Sequence, residues 1–208
     1  MHPNPIYRQT SRARNIAFAR ARAFGMLALN GDEAPLVSHV PFELSSDGTV
    51  ARLHLVRSNP IARMLTAPRP AMIAVQGPDG YISPDWYGLP DQVPTWNYVA
   101  VHLRGTLHPM PGDAMRGVLD DLSAQFETRL PDKHPWTSDK MSDGVMERMM
   151  RQILPFELQV TEIDGTWKLG QNKPEAARLG AADGVAKGGQ GLGLDDLATL
   201  MRAPPPAD

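Results

Sequence analysis

The chain has 208 residues, 42% hydrophobic and 21% charged, enough for one sizeable core with appendages. Its formal charge of -2 sets up no global field for nucleic acid, and the absence of cysteine excludes disulfide and thiolate chemistry. No apolar run reaches the ~18 residues of a membrane span, the polar start at Met1–Gln9 has no signal core, and the lack of cysteine fits a reducing cytoplasm.

The 20 prolines and 18 glycines imply many turns, as in a β-rich fold of short strands. Thr10 or Ser11 caps a helix to about Ala23, with Ile16, Ala19 and Ala23 on one stripe. Arg12, Arg14, Arg20 and Arg22 occupy the other face. They read either as a solvated surface or as a contact to the phosphate of a cofactor or of DNA. Gly25–Asn30 is a short apolar strand, Gly31-Asp32 a turn, and Pro35–Leu44 its antiparallel partner. His39 lies in Ser38-His39-Val40-Pro41, where the proline imposes an extended backbone before it. It either points into a pocket or rests on a backbone carbonyl.

Ser45–Gly48 turns the chain into a strand over Val50–Val56. Ser58-Asn59-Pro60 then opens a helix to about Leu65, with Asn59 as cap and Pro60 in the first turn. Free amides at a helix start attract anions, and Arg57, Ser58 and Asn59 add a cation and two donors. The step therefore reads as a phosphate site, against the plainer alternative of capping beside an exposed arginine.

Ala71–Gln76 is an interior strand, broken by Gly77-Pro78-Asp79-Gly80. Tyr81–Tyr87 carries Pro84, so it is an edge strand or an ordered loop. A loop leads into Val93–Gly105, VPTWNYVAVHLRG. With period 2, Asn97, Val99, Val101 and Leu103 face the core, while Trp96, Tyr98, Ala100, His102 and Arg104 face away. That second face suits the wall of a binding site or a barrel strand meeting a partner subunit. If the two aromatic segments pair, Tyr81, Trp86, Tyr87, Trp96 and Tyr98 form one surface that stacks a planar ring or packs a dimer interface.

Pro111–Leu130 is the clearest helix, with Met115, Val118, Leu119, Leu122 and Phe126 on one stripe. Ser142 or Asp143 caps another to about Ile153, with Val145, Met149 and Ile153 inward. Phe156–Ile163 is the last long strand, and Asp164-Gly165 reads as a tight turn. Trp167-Lys168-Leu169 returns into Gly170-Gln171-Asn172-Lys173-Pro174. Lys168 and Lys173 suit a phosphate, and Gln171 and Asn172 suit ring nitrogens and oxygens; a polar surface turn is the alternative. Beyond a domain of residues 1–174, residues 175–208 read as an extension: a helix over Glu175–Ala182, a Gly-rich linker over Gly184–Gly193, and an amphipathic helix over Asp195–Met201. There is no helix-turn-helix spacing, P-loop or G-x-S-x-G, and the six histidines form no close pair. No catalytic residue and no metal ligand is assigned.

Five segments in this order resemble the PaiB family of small flavin-binding proteins. They are SHVPF (Ser38–Phe42), VRSNP (Val56–Pro60), QGPDGYISPDWY (Gln76–Tyr87), VPTWNYVAVHLRG (Val93–Gly105) and WKLGQNK (Trp167–Lys173). The likeness runs from Met1 to about Ala182 and departs at Gly170, where the family usually carries serine. It implies a mainly β (α+β) fold, a split β-barrel of six antiparallel strands with peripheral helices, working as a homodimer with FMN between subunits. It further implies that Arg57, Ser58 and Asn59 serve the phosphate and ribityl chain, and that Trp96, Asn97 and Tyr98 form wall and ring edge. Trp167, Lys168, Gln171, Asn172 and Lys173 would reach over from the other subunit, with His39 and Gln76 as further contacts. Family members are named as negative transcriptional regulators; for direct DNA binding this chain offers only the Arg12–Arg22 footprint. The alternative function is a flavin-dependent oxidoreductase, a reductase or oxidase of a small substrate.

Overall fold

Strand alternation and helical stripes are realised in eight strands and six α-helices over residues 1–207, which the computed structural model describes. The strands are β1 (Phe24–Asn30), β2 (Pro35–Pro41), β3 (Glu43–Leu44), β4 (Val50–Val56), β5 (Arg69–Ile82), β6 (Thr95–Pro109), β7 (Ile153–Lys168) and β8 (Gly191–Leu192). The helices are α1 (Arg12–Arg22), α2 (Pro60–Met64), α3 (Met115–Glu127), α4 (Val145–Met150), α5 (Glu175–Gly188) and α6 (Leu194–Arg202). Sheet order is β2-β1-β5-β6-β7-β4-β3, with β8 on β5.

The expected six strands of a split barrel are thus corrected to eight strands in an open order. Two causes add the strands. The segment read as one strand over Pro35–Leu44 divides at Phe42, whose amide donates to the Ala23 carbonyl at 3.0 Å. The Gly-rich segment then supplies β8, pairing Asp79 with Leu192 and Gly80 with Gly191.

The chain divides into two compact units. One comprises Met1–Phe18, Gln76–Val101 and the residues from Asp164 on; the other comprises Ala19–Val75 and His102–Ile163. In the second unit β1 and β2 pair from Phe24↔Pro41 to Asn30↔Pro35, and β4 pairs β7 from Val50↔Gln159 to Val56↔Ile153. Leu27, Phe42, Leu44, Leu53, Ile73, Leu103, Phe156 and Leu158 are fully buried there. Helix α3 buries Met115, Val118 and Leu122, three of its five predicted stripe positions. The predicted inward stripe of the next helix is corrected: α4 is short, Met149 is 57% exposed, and Ile153 already belongs to β7.

The first unit has its own core, built from Ile82, Tyr87, Val99, Trp167 and Leu169 with small residues of α5 and the apolar side of α6. Two breaks read from glycine-bearing turns are absent, and the Gly-rich linker begins later than expected. Gly77–Gly80 continues β5, because the Gly77 α-carbon faces Phe18 and Val99 so closely that a Cβ would lie 2.7 Å from the phenyl ring. Asp164-Gly165 continues β7, because a Cβ on Gly165 would lie 2.2 Å from the Asn15 side chain. Gly184 belongs to α5, where a Cβ would lie 2.2 Å from the Trp86 ring. In each case glycine marks close approach and not a turn.

Candidate functional site

The sequence-derived site residues fall into two groups, one in each unit. In the second unit the step from β4 into α2 is locally determined. Asn59 is extended (φ -61, ψ 133), and its Oδ1 accepts from the Ile61 amide at 2.9 Å while Pro60 fixes the first turn. The Asn59 Nδ2 donates to Ser38 Oγ of β2 at 2.8 Å, so the SHVPF and VRSNP segments meet. Next to Ser38, the exposed His39 ring stacks on Phe24 with centroids 6.3 Å apart. Arg57 is exposed, and its Nε donates to the Arg151 carbonyl at 2.6 Å. Ser58 is exposed beside it.

The first unit holds the denser group. Burial along β6 alternates as its sequence dictates: Trp96 is 46% exposed, Asn97 is 1% exposed, and Tyr98 is half-buried. Asn97 therefore lies on the core side, with Nδ2 3.5 Å from Met201 Sδ, while Trp96 and Tyr98 share the opposite face. Tyr81 meets Trp96 edge to face at 6.3 Å. The single aromatic surface read from the sequence is divided, since Tyr87 is buried and Trp86 packs on that unit's core.

Trp167 is also a core residue, 3% exposed, with Nε1 donating to Asn15 Oδ1 at 2.8 Å and Phe18 against its ring. Gln171 closes the following turn: its Oε1 accepts from the Leu169 amide at 2.8 Å and its Nε2 donates to the Trp167 carbonyl at 2.6 Å. Gly170 inside that turn has φ 82, the left-handed region that favours glycine. Asn172 is exposed. Gln76 is exposed as well, with its Nε2 donating to Asp79 Oδ2 at 2.7 Å.

The two lysines differ from the rest. Lys168 Nζ donates to Thr95 Oγ1 at 2.5 Å and stands 6.0 Å from the Tyr7 ring centroid. Lys173 Nζ donates to Gln92 Oε1 at 2.6 Å and stands 5.1 Å from the Tyr87 ring centroid. Neither ammonium has a carboxylate within ion-pair distance among the described residues. Burial holds Lys168 below the usual lysine range. Burial also raises Tyr98, against a hydrogen bond from Thr166 that pulls it down. Each half-buried ammonium thus rests on a neutral oxygen beside one phenol ring.

Tyr7, Gln92, Thr95 and Asn15 were not singled out from the sequence. Asn15 carried a usable signal: it lies four residues before Ala19 on the buried stripe, and a polar group there must find a partner. For Tyr7, Gln92 and Thr95 the sequence held no signal, since only folding brings them to the lysines.

The antiparallel sheet with its peripheral helices has the fold of split-barrel flavin-binding proteins. Among solved structures, the FAD and heme binding protein from Mycobacterium smegmatis matches with TM-score 0.57 and 21% identity over 89% of this chain and 82% of that one. Flavocytochrome Anf3 from Azotobacter vinelandii matches with TM-score 0.52 and 12% identity over 80% and 72%. At these identities the likeness is one of fold. Residues 1–162 match the family model described as "Putative FMN-binding domain". Protease synthase and sporulation protein PAI 2 of Bacillus subtilis (strain 168) is 30% identical over 174 residues, covering 82% of this chain and 83% of that protein. The chain belongs to this FMN-binding family, and the resemblance to PaiB is borne out.

Proposed function

We propose that the chain is an FMN-dependent regulator acting as a homodimer, and that the lysine pair of the first unit supplies positive charge to the cofactor's anionic groups. The observation that carries this reading is the pair of ammoniums, Lys168 and Lys173, each held on a neutral oxygen with no carboxylate partner among the described residues. Such a pair fits a phosphorylated ring, since a bound phosphate would satisfy charge that the fold leaves open. When bound, FMN supplies one- or two-electron redox chemistry.

The protein's own residues then divide by role. Lys168 and Lys173 bind charge, Trp96 and Tyr98 wall the ring, and Asn172 offers an exposed amide. Trp167, Gln171 and Asn97, whose polar groups are already occupied, position the lysine-bearing turn and β6. In the second unit Arg57 and Ser58 are exposed donors suited to a phosphate or ribityl group, Asn59 positions them through its bonds to Ser38 and the Ile61 amide, and His39 is exposed beside Ser38; Gln76 of the first unit is likewise exposed. Kinship with PAI 2, named a protease synthase and sporulation protein, supports a regulatory role. In that role FMN would favour one of two dimer states by binding it more tightly.

Titration with FMN and with riboflavin, followed by quenching of flavin fluorescence, tests the charge assignment. The double variant Lys168→Ala, Lys173→Ala is expected to weaken FMN binding by about tenfold or more, corresponding to ~1.4 kcal/mol or more, with a much smaller effect on riboflavin. Equal loss of both ligands, or of neither, rejects the assignment.

A further inference from the structure

Three residues on one face of β7 grip the same short segment near the start of the chain. Asp164, Thr166 and Lys168 are spaced by two, so their side chains point the same way. Asp164 Oδ1 accepts from Arg8 Nε at 3.1 Å and lies 3.0 Å from Arg8 Nη2. Thr166 Oγ1 accepts from the His2 amide at 3.2 Å. Lys168 Nζ faces the Tyr7 ring at 6.0 Å.

The segment is also ordered from within. Asn4 Oδ1 accepts from the Ile6 amide at 3.1 Å, capping a 3-10 turn over Pro5–Tyr7. The His2 and Tyr7 rings meet edge to face at 4.7 Å. Its anchors are buried: Asp164 is 8% exposed, Thr166 is fully buried, and Tyr7 is 5% exposed. The Thr166 hydroxyl that accepts from His2 also hydrogen-bonds the Tyr98 phenol. The segment thus touches Lys168 directly and Tyr98 through one hydroxyl. A segment held only for stability needs no lysine beneath an aromatic face.

We infer that His2–Arg8 is a strap that positions the Lys168 ammonium for an anionic ligand, with Tyr7 as the positioning residue. This rests on the reading of Lys168 as a charge contact to FMN. The Tyr7 ring offers its negative face to the ammonium and shields it from water on that side, while Thr95 Oγ1 fixes the remaining direction. Arg8 on Asp164 and His2 on Thr166 hold the ring in place. Loosening the strap lets the flexible lysine stem wander and rehydrate, so affinity for the charged ligand falls and affinity for its neutral analogue does not.

The test compares Tyr7→Leu, Tyr7→Phe and Lys168→Ala in FMN and riboflavin titrations of the full chain. Leucine keeps an apolar filler but removes the aromatic face; phenylalanine keeps the face. Tyr7→Leu is expected to weaken FMN about fivefold and riboflavin less than about twofold, whereas Tyr7→Phe keeps both near wild type. If Tyr7→Leu weakens both ligands alike, the ring is only structural and the strap proposal is overturned. A wild-type FMN-to-riboflavin ratio in Tyr7→Leu, alongside a reduced ratio in Lys168→Ala, overturns the strap while the charge reading stands. An unchanged ratio in Lys168→Ala overturns the charge reading and the strap with it.

Discussion

Asn15, Asn97, Asp164 and Thr166 are the buried polar side chains of the described residues, and all four lie in the first unit. Each has a partner: the Trp167 indole, Met201, Arg8 and His2 respectively. A small unit that buries this much polarity gains specific geometry at the expense of desolvation, which suits a segment that must hold lysines in place. His54 is different. It lies opposite Pro155 of β7, and its Nδ1 is buried without a hydrogen-bond partner among the described residues. Burial lowers its pKa from the ordinary value of about 6.5. The unfolded chain then takes up the proton first, so His54 costs no stability above about pH 6.5 and destabilises the fold as pH falls through that value toward the folded pKa. Urea unfolding at about pH 7.5 and 5.5 is expected to show a midpoint drop in the wild type that is smaller in His54→Leu; an identical drop in both would refute this.

Elements were legible where periodicity was strong and illegible where glycine was the guide. Helix α3, strands β1 and β4, the Asn59 cap and the alternation of β6 followed from spacing alone. The Gly-Pro-Asp-Gly, Asp-Gly and Gly-rich segments read as breaks because glycine favours turns, yet a missing Cβ serves equally to let another chain segment come close. Gly184 shows the difference. It sits inside α5, where glycine is intrinsically unfavourable, and the Trp86 ring fills the space a methyl group would take. Gly184→Ala gains helix propensity but overpacks this contact, and the net effect expected is a loss of about 1–3 kcal/mol in chemical denaturation. A neutral or stabilising result would mean that Trp86 is free to move aside. Gly117 of α3, with nothing near its missing Cβ, is the matched control, and Gly117→Ala is expected to stabilise by up to about 1 kcal/mol.

At the scale of the molecule, family membership makes this an FMN-binding protein, while regulation and pairing are proposed. No helix among the described residues is long and apolar enough to cross a membrane. Homodimerisation predicts a solution mass of twice the 22.8 kDa chain by light scattering at micromolar concentration, with and without FMN. A persistent monomer that binds FMN would remove the second subunit from the proposal and leave the lysine pair as its sole cationic contact in the first unit.

By itself the sequence determined the chemistry that is local: which residues alternate on β6, where α2 is capped, which lysines lie at and beyond the end of β7, and the family to which five ordered segments point. These depend on spacing along the chain, and spacing is what a sequence records. The tertiary structure alone decided which polar groups remain available. It occupied Trp167 with Asn15 and Gln171 with its own turn, and it set Met201 against the Asn97 amide. It also brought Tyr7, Thr95 and Gln92 to the two ammoniums. Those contacts join residues up to 161 positions apart, from Tyr7 to Lys168, and only packing of the intervening chain selects them.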